Sequence, residues 1–187
     1  MAVQLNDYSI MKTASQKIRL FEEPNSSIER QSEWDEPKGF MFGGMAMFME
    51  TSLSQIAEQY YKAAEALLLI IKNNETPDYE LQNPVFYLYR QTIELLIKAI
   101  LVTEGKSTLD SKGRNIHTLQ ALLDRLDNVP NDFQSLIQQL HQIDPASTLL
   151  RYGGDKPYFN GELWCSLTKL EYQMKRLYQY LTSRINK

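Results

Sequence analysis

Pro84-Val-Phe-Tyr-Leu-Tyr-Arg90-Gln-Thr-Ile-Glu94-Leu-Leu-Ile-Lys98-Ala-Ile-Leu-Val102 places three charges four residues apart in an otherwise mostly apolar run. A four-residue step is slightly more than one helical turn, so Arg90, Glu94 and Lys98 fall on one face as a polar stripe roughly 12 Å long. A helix that is apolar on its other faces is suited to being surrounded by neighbours. Charges are rarely buried unless paired, so the stripe either faces water or forms a buried network or site. As an exposed pair, Glu94 and Lys98 contribute only ~0.2 to 0.5 kcal/mol.

Asn83-Pro84 reads as the start of this helix, with Asn as N-cap and Pro at the first helical position, and the helix runs to about Glu104. Upstream, from about Met45 to Asn74, Leu53, Ala57, Tyr60, Ala64, Leu67 and Ile71 alternate steps of four and three, which predicts a long first helix. Asn73-Asn74 tolerates the left-handed backbone of a helix end, and Pro77 disfavours continuation. Downstream, Ile116, Leu119, Leu122, Leu123 and Leu126 predict a short third helix begun by His117. Asn131 and Gln134 resemble a capping box ahead of Phe133, Leu136, Ile137 and Leu140, and Asp144-Pro145 closes that fourth helix. Leu163, Leu167, Leu170, Met174, Leu177 and Leu181 repeat as a heptad and predict the fifth. With no strand alternation between hairpin turns, the expected class is all-α: a bundle of four or five helices. Residues 1–43 lack sustained periodicity and read as an irregular amino-terminal arm with aromatic islands at Phe21, Trp34, Phe40 and Phe42; residues 44–187 read as the helical domain.

The composition excludes several classes. With 43% hydrophobic and 23% charged residues the chain is not of disordered composition. A net charge of −3 gives no global attraction for phosphate backbones, so nucleic acid must be met by a local basic patch. Cys165 is the only cysteine, which rules out an internal disulfide and a cysteine-based zinc site. Neither a signal-peptide core nor an apolar run of ~20 residues is found, so the expectation is a cytoplasmic protein.

Glu104-Gly105-Lys106-Ser107-Thr108 resembles the end of a phosphate-binding loop, but Ile100 stands where that loop needs glycine and the residues leave a helix. Gly105 is better read as a helix C-cap glycine. His117 and His141 are the only histidines, and no helix pairs Glu with His as bundle metal sites do, so neither metal nor cofactor is expected. His141 sits near a helix end, where a cationic imidazole suits the dipole. At a helix start His117 would favour its neutral form and serve as a general base, or simply hydrogen-bond near the cap. Arg151 can hold phosphate or carboxylate bidentately, or pair with Glu94 or Asp155; Tyr152 can stack or donate a hydrogen bond.

The Arg90-Gln-Thr-Ile-Glu94-Leu-Leu-Ile-Lys98-Ala helix, the His117-Thr-Leu119 segment, and Asp144-Pro145 followed by Arg151-Tyr152 and Asp155 together resemble the HEPN superfamily. These are small helical bundles of prokaryotic toxin-antitoxin and antiphage systems. The resemblance covers roughly Leu53 to Leu181 and implies a two-fold homodimer with an interfacial groove, RNA or nucleotide as ligand, and a protein partner such as an antitoxin. Ribonuclease members cleave RNA without metal, using an Arg and a His separated by four to six residues; here only Asn115 and Ile116 lie between Arg114 and His117. In place of that spacing, the charge stripe, the His117 start of the third helix and the Arg151-Tyr152 loop suggest a dispersed centre, if an active centre exists, in which His117 moves a proton, Arg90, Arg114 or Arg151 stabilises phosphate charge, and Glu94 orients an arginine or the histidine. Lys98, Arg114, Arg151 and Tyr152 are the candidate RNA-binding residues. The alternative is a noncatalytic interaction or nucleotide-binding module with the stripe as a structural ion network.

Overall fold

A computed structural model describes residues 52–153 and 163–185. The arm read in residues 1–43, the stretch from Met45 to Thr51, and Asp155 lie outside the described residues. The described chain is an all-α bundle: α1 (Leu53–Lys72), α2 (Asp78–Thr103), α3 (Leu119–Leu123), α4 (Asn131–Ile143), α5 (Leu149–Tyr152) and α6 (Leu167–Ile185). Among the described residues, the only extended pairing is an isolated bridge between Leu109 and Asn115.

The apolar run becomes the central helix. α2 packs against every other helix, and from Thr92 to Leu101 every residue is buried, including both flanks of the charged stripe. Against it α1 presents Ala57 and Ala64, two small, fully buried residues that let the backbones approach closely, followed by Leu68 and Ile71. α6 contributes Leu170, Met174, Leu177 and Leu181 at the expected spacing. The third-helix residues Ile116, Leu119, Leu122, Leu123 and Leu126 all enter the same core, joined by Ile137 and Leu140 of α4. A tyrosine seam ties three helices together. Tyr61 of α1 stacks on Tyr178 of α6 with ring centroids 4.1 Å apart, and the Tyr89 hydroxyl of α2 donates to Glu65. Burial, reinforced by the Glu65 charge, pushes the Tyr61 hydroxyl up to about 12.

Helix ends follow local chemistry. Ser52 caps α1 in a reciprocal capping box with Gln55. Ser52 has extended backbone angles, so α1 starts at Leu53. At its other end Asn74 adopts φ +57°, with Glu75 N bonded to Ile70 O and Asn74 N to Ile71 O, closing the helix as the Asn pair predicts. Gly105 ends α2 in the same way at φ +68°, with Lys106 N on Leu101 O and Gly105 N on Val102 O. The glycine is a helix cap.

Four further boundaries differ from the sequence expectation. α2 begins at Asp78, and Pro84 lies inside it. Pro77 precedes the first turn, where Asp78 and Glu80 complement the helix dipole; Thr76 Oγ1 also donates to Glu80. Pro84 and Glu80 are exposed, so water can satisfy the Glu80 carbonyl left without an intrahelical donor. The third helix shrinks to one turn starting at Leu119, and His117 lies before it in irregular chain. No capping box forms at α4: Asn131 is already helical, and Gln134 Nε2 turns back to Val129 O at 2.7 Å. Leu163 drops out of the heptad, 66% exposed, because Ser166 ends the preceding irregular chain; its hydroxyl accepts from Lys169 N and its carbonyl from Leu170 N.

Pro84 therefore denies α2 one backbone bond at an exposed site. Pro84→Ala is expected to raise unfolding stability by up to about 3 kcal/mol, read from urea melts; an unchanged or lower midpoint would show that the ring itself is needed.

Candidate functional site

The stripe on α2 is a buried ion network. Arg90 is 0% exposed and Glu94 1%, while the Lys98 side chain is 10% exposed at the edge. Glu94 stands between the two cations. Its Oε2 accepts from Arg90 Nη1 at 3.1 Å and its Oε1 from Lys98 Nζ at 2.7 Å. Two cations and one carboxylate at helical spacing would leave excess positive charge in the core. Asp144, also 0% exposed, lies beside the network, but Arg90 meets its backbone carbonyl and not its carboxylate.

Arg90 extends the network into two loops. Its Nη2 donates to the His117 carbonyl at 2.7 Å, its Nη1 also to Ser147 Oγ at 2.8 Å, and its Nε to the Asp144 carbonyl at 3.3 Å. All three guanidinium nitrogens are thus committed inside the protein, and a planar fork satisfied on every nitrogen is the arrangement that makes a buried arginine tolerable. Asp144 in turn caps α5: Oδ1 accepts from Thr148 N and Leu149 N at 2.8 and 3.0 Å, and Oδ2 from Leu150 N at 3.4 Å. Ser147 is buried with φ +59°, a backbone region costly for a residue with a Cβ. That turn aims its hydroxyl at Arg90 and its carbonyl at Arg151, whose Nε donates to it at 2.8 Å.

His117 is where the network meets solvent. Its Nδ1 lies 3.0 Å from Glu94 Oε1, yet 62% of its side chain is exposed. A carboxylate on one ring nitrogen fixes the tautomer and plane of the imidazole and leaves the other nitrogen free for proton transfer.

Of the residues expected at the site, Arg90, Glu94, Lys98 and His117 converge, and Arg151 joins through the Ser147 carbonyl. Arg151 is not the partner of Glu94. Arg114 does not join: Asp110 holds its guanidinium, with Nη2 to Oδ2 at 2.8 Å, inside a loop that also uses the Arg114 backbone amide. Tyr152 is 76% exposed, with the Arg151 guanidinium 5.0 Å above its ring. Arg90 itself cannot reach a phosphate from its buried position. Asp144 and Ser147 complete the cluster although their sequence context suggested no such role.

Tyr87 is a further neighbour. Burial raises its hydroxyl pKa first, the charges of Tyr60, Glu94 and Tyr152 add to this, and that of Arg151 opposes it. His141, on α4, has a buried Nδ1 with no hydrogen-bond partner among the described residues. Desolvation, then the Arg90 charge, lowers its pKa, so the imidazole is held neutral and not in the cationic form suited to a helix end. Among the described residues no group of three or more His, Cys, Asp or Glu is arranged to hold a metal, and no helix is long and apolar enough to cross a membrane.

No protein-family model matches the chain, and comparisons with curated proteins and with solved structures find no match.

Two outcomes follow from this electrostatics. Glu94→Gln leaves two buried cations facing a neutral amide and is expected to cost about 3–5 kcal/mol in chemical denaturation, far more than an exposed helical pair. The lowered pKa of His141 means the unfolded chain takes up a proton that the folded chain resists. Stability from this group is therefore present above about pH 6.5 and falls as pH drops below it. His141→Leu should flatten that slope between pH 7.5 and 5.5; an unchanged slope would place its origin elsewhere.

Proposed function

We propose that this chain is a HEPN-like, RNA-associated protein of a toxin-antitoxin or antiphage defence system, acting as a metal-independent endoribonuclease with His117 as its proton-transfer group. The observation that carries the reading is a solvent-exposed imidazole whose Nδ1 is 3.0 Å from a carboxylate buried between two cations. In the tautomer with Nδ1–H donating to Glu94, Nε2 of this largely exposed side chain carries the lone pair. In the proposed reaction Nε2 takes the proton of a ribose 2′-hydroxyl as that oxygen attacks the adjoining phosphorus. A new P–O2′ bond forms, the P–O5′ bond breaks, and the leaving 5′ oxygen takes a proton to become a hydroxyl.

Arg151 is the cation assigned to the phosphate, since its side chain lies at the surface while Arg90 is enclosed. Arg90, Glu94 and Lys98 are positioning residues. A homodimer, an antitoxin-like protein partner and a cytoplasmic location belong to the same proposal through the HEPN resemblance. The rival is a noncatalytic RNA- or nucleotide-binding module; the complete enclosure of Arg90 within the protein favours it, because the stripe then has a purely structural use.

The test is incubation of the purified chain with single-stranded RNA in the presence of EDTA. Expected products carry 2′,3′-cyclic phosphate and 5′-hydroxyl ends, and His117→Ala lowers the rate about 10²- to 10⁴-fold with its helical circular dichroism intact. Full cleavage by His117→Ala sinks the catalytic reading, and an RNA bound but never cut supports the rival.

A further inference from the structure

Arg151 is linked to His117 through two buried residues. One guanidinium, that of Arg90, holds both the His117 carbonyl and the Ser147 hydroxyl, and the Ser147 carbonyl holds Arg151 through Nε and Nη2. The His117 backbone and the Ser147 turn that carries Arg151 are therefore tied to one buried guanidinium, and the imidazole is held by Glu94 on the same group. Fixing Nε and Nη2 orients the Arg151 plane. Its Nη1 has no hydrogen-bond partner among the described residues. The Tyr152 ring lies beneath the guanidinium at 5.0 Å and the residue is 76% exposed, so much of its aromatic surface is open to solvent. The amides at the start of α5 are already taken by Asp144, which leaves side chains to do any binding here.

We propose that Arg151 and Tyr152 form a stacking platform for one unpaired base of single-stranded RNA, with Arg151 Nη1 on the adjoining phosphate, and that this platform selects single strands over duplex. The substrate class follows from the chemistry. An exposed aromatic with a guanidinium on it gives a base a π-face and its phosphate a donor. A duplex keeps its bases stacked on one another and has no face to offer such a ring. The inference names the substrate class of the site proposed above and so rests on that reading.

Binding is measured by fluorescence anisotropy with a labelled 2′-O-methyl oligoadenosine, which lacks the attacking hydroxyl and so cannot be consumed, against a hairpin duplex of the same backbone. The full chain should prefer the single strand. Tyr152→Ala should weaken binding about five- to a hundredfold, and Tyr152→Phe should keep it within about twofold, since the ring and not the hydroxyl is used. Arg151→Ala should lower the salt slope by about one. Equal affinity of Tyr152→Ala, or duplex bound as tightly as single strand, overturns the platform. So does loss of self-association in Tyr152→Ala with RNA binding unchanged, which would make this face a protein interface. Cleavage that needs His117 but ignores Tyr152 removes the platform and leaves the ribonuclease. Tyr152-dependent binding without cleavage does the reverse.

Discussion

A carboxylate held between two cations inside an apolar helix is the constraint around which the rest of this structure is arranged. Once Glu94 is buried, Arg90 and Lys98 stay beside it, and Arg90 turns its remaining donors to the Asp144 and His117 carbonyls and the Ser147 hydroxyl. Replacing the set with hydrophobic residues can be neutral or stabilising in other proteins, so burial of charge is not in itself a source of stability. What the network does here is fix geometry. Arg90 reaches the chain before α3 and the turn before α5 at once, and neither segment has enough helix of its own to hold its position.

That division of labour separates enclosed groups from exposed ones. The enclosed side chains of Arg90, Glu94, Asp144 and Ser147 have their hydrogen bonds satisfied within the protein. His117, Arg151 and Tyr152 carry free surface, and the first two are tethered to the enclosed set. The strained Ser147 turn sits at the joint, presenting two polar groups in two directions from one residue. Strain tolerated at such a point is compatible with a role in positioning.

The sequence made the central helix, the charged stripe and the helix ends at Asn74 and Gly105 legible, because each rests on local rules: four-residue spacing, apolar faces and left-handed caps. Long-range relations were another matter. Arg90 finds Ser147 across 57 positions, and nothing in an Asp-Pro-Ala-Ser-Thr stretch distinguishes a capping turn from one that also serves a distant guanidinium. Arg114 looked available beside His117, but Asp110, four residues back, reaches it first. Pro84 concealed the first turn of α2, since proline is a better signal for a helix start than for an exposed interior position. Leu163 kept the heptad spacing while Ser166 claimed the cap.

The return of α6 to the core has a bearing on how the chain is made. Leu170, Met174, Leu177 and Leu181 cover apolar surface of helices completed well over sixty residues earlier. Until that last helix has been synthesised, part of the apolar surface of α1 and α2 has no permanent cover. During translation the nascent chain thus carries a sticky surface for several seconds, at ordinary elongation rates of ~5–20 residues per second. That interval, and not only the stability of the finished bundle, is where the chain is open to aggregation.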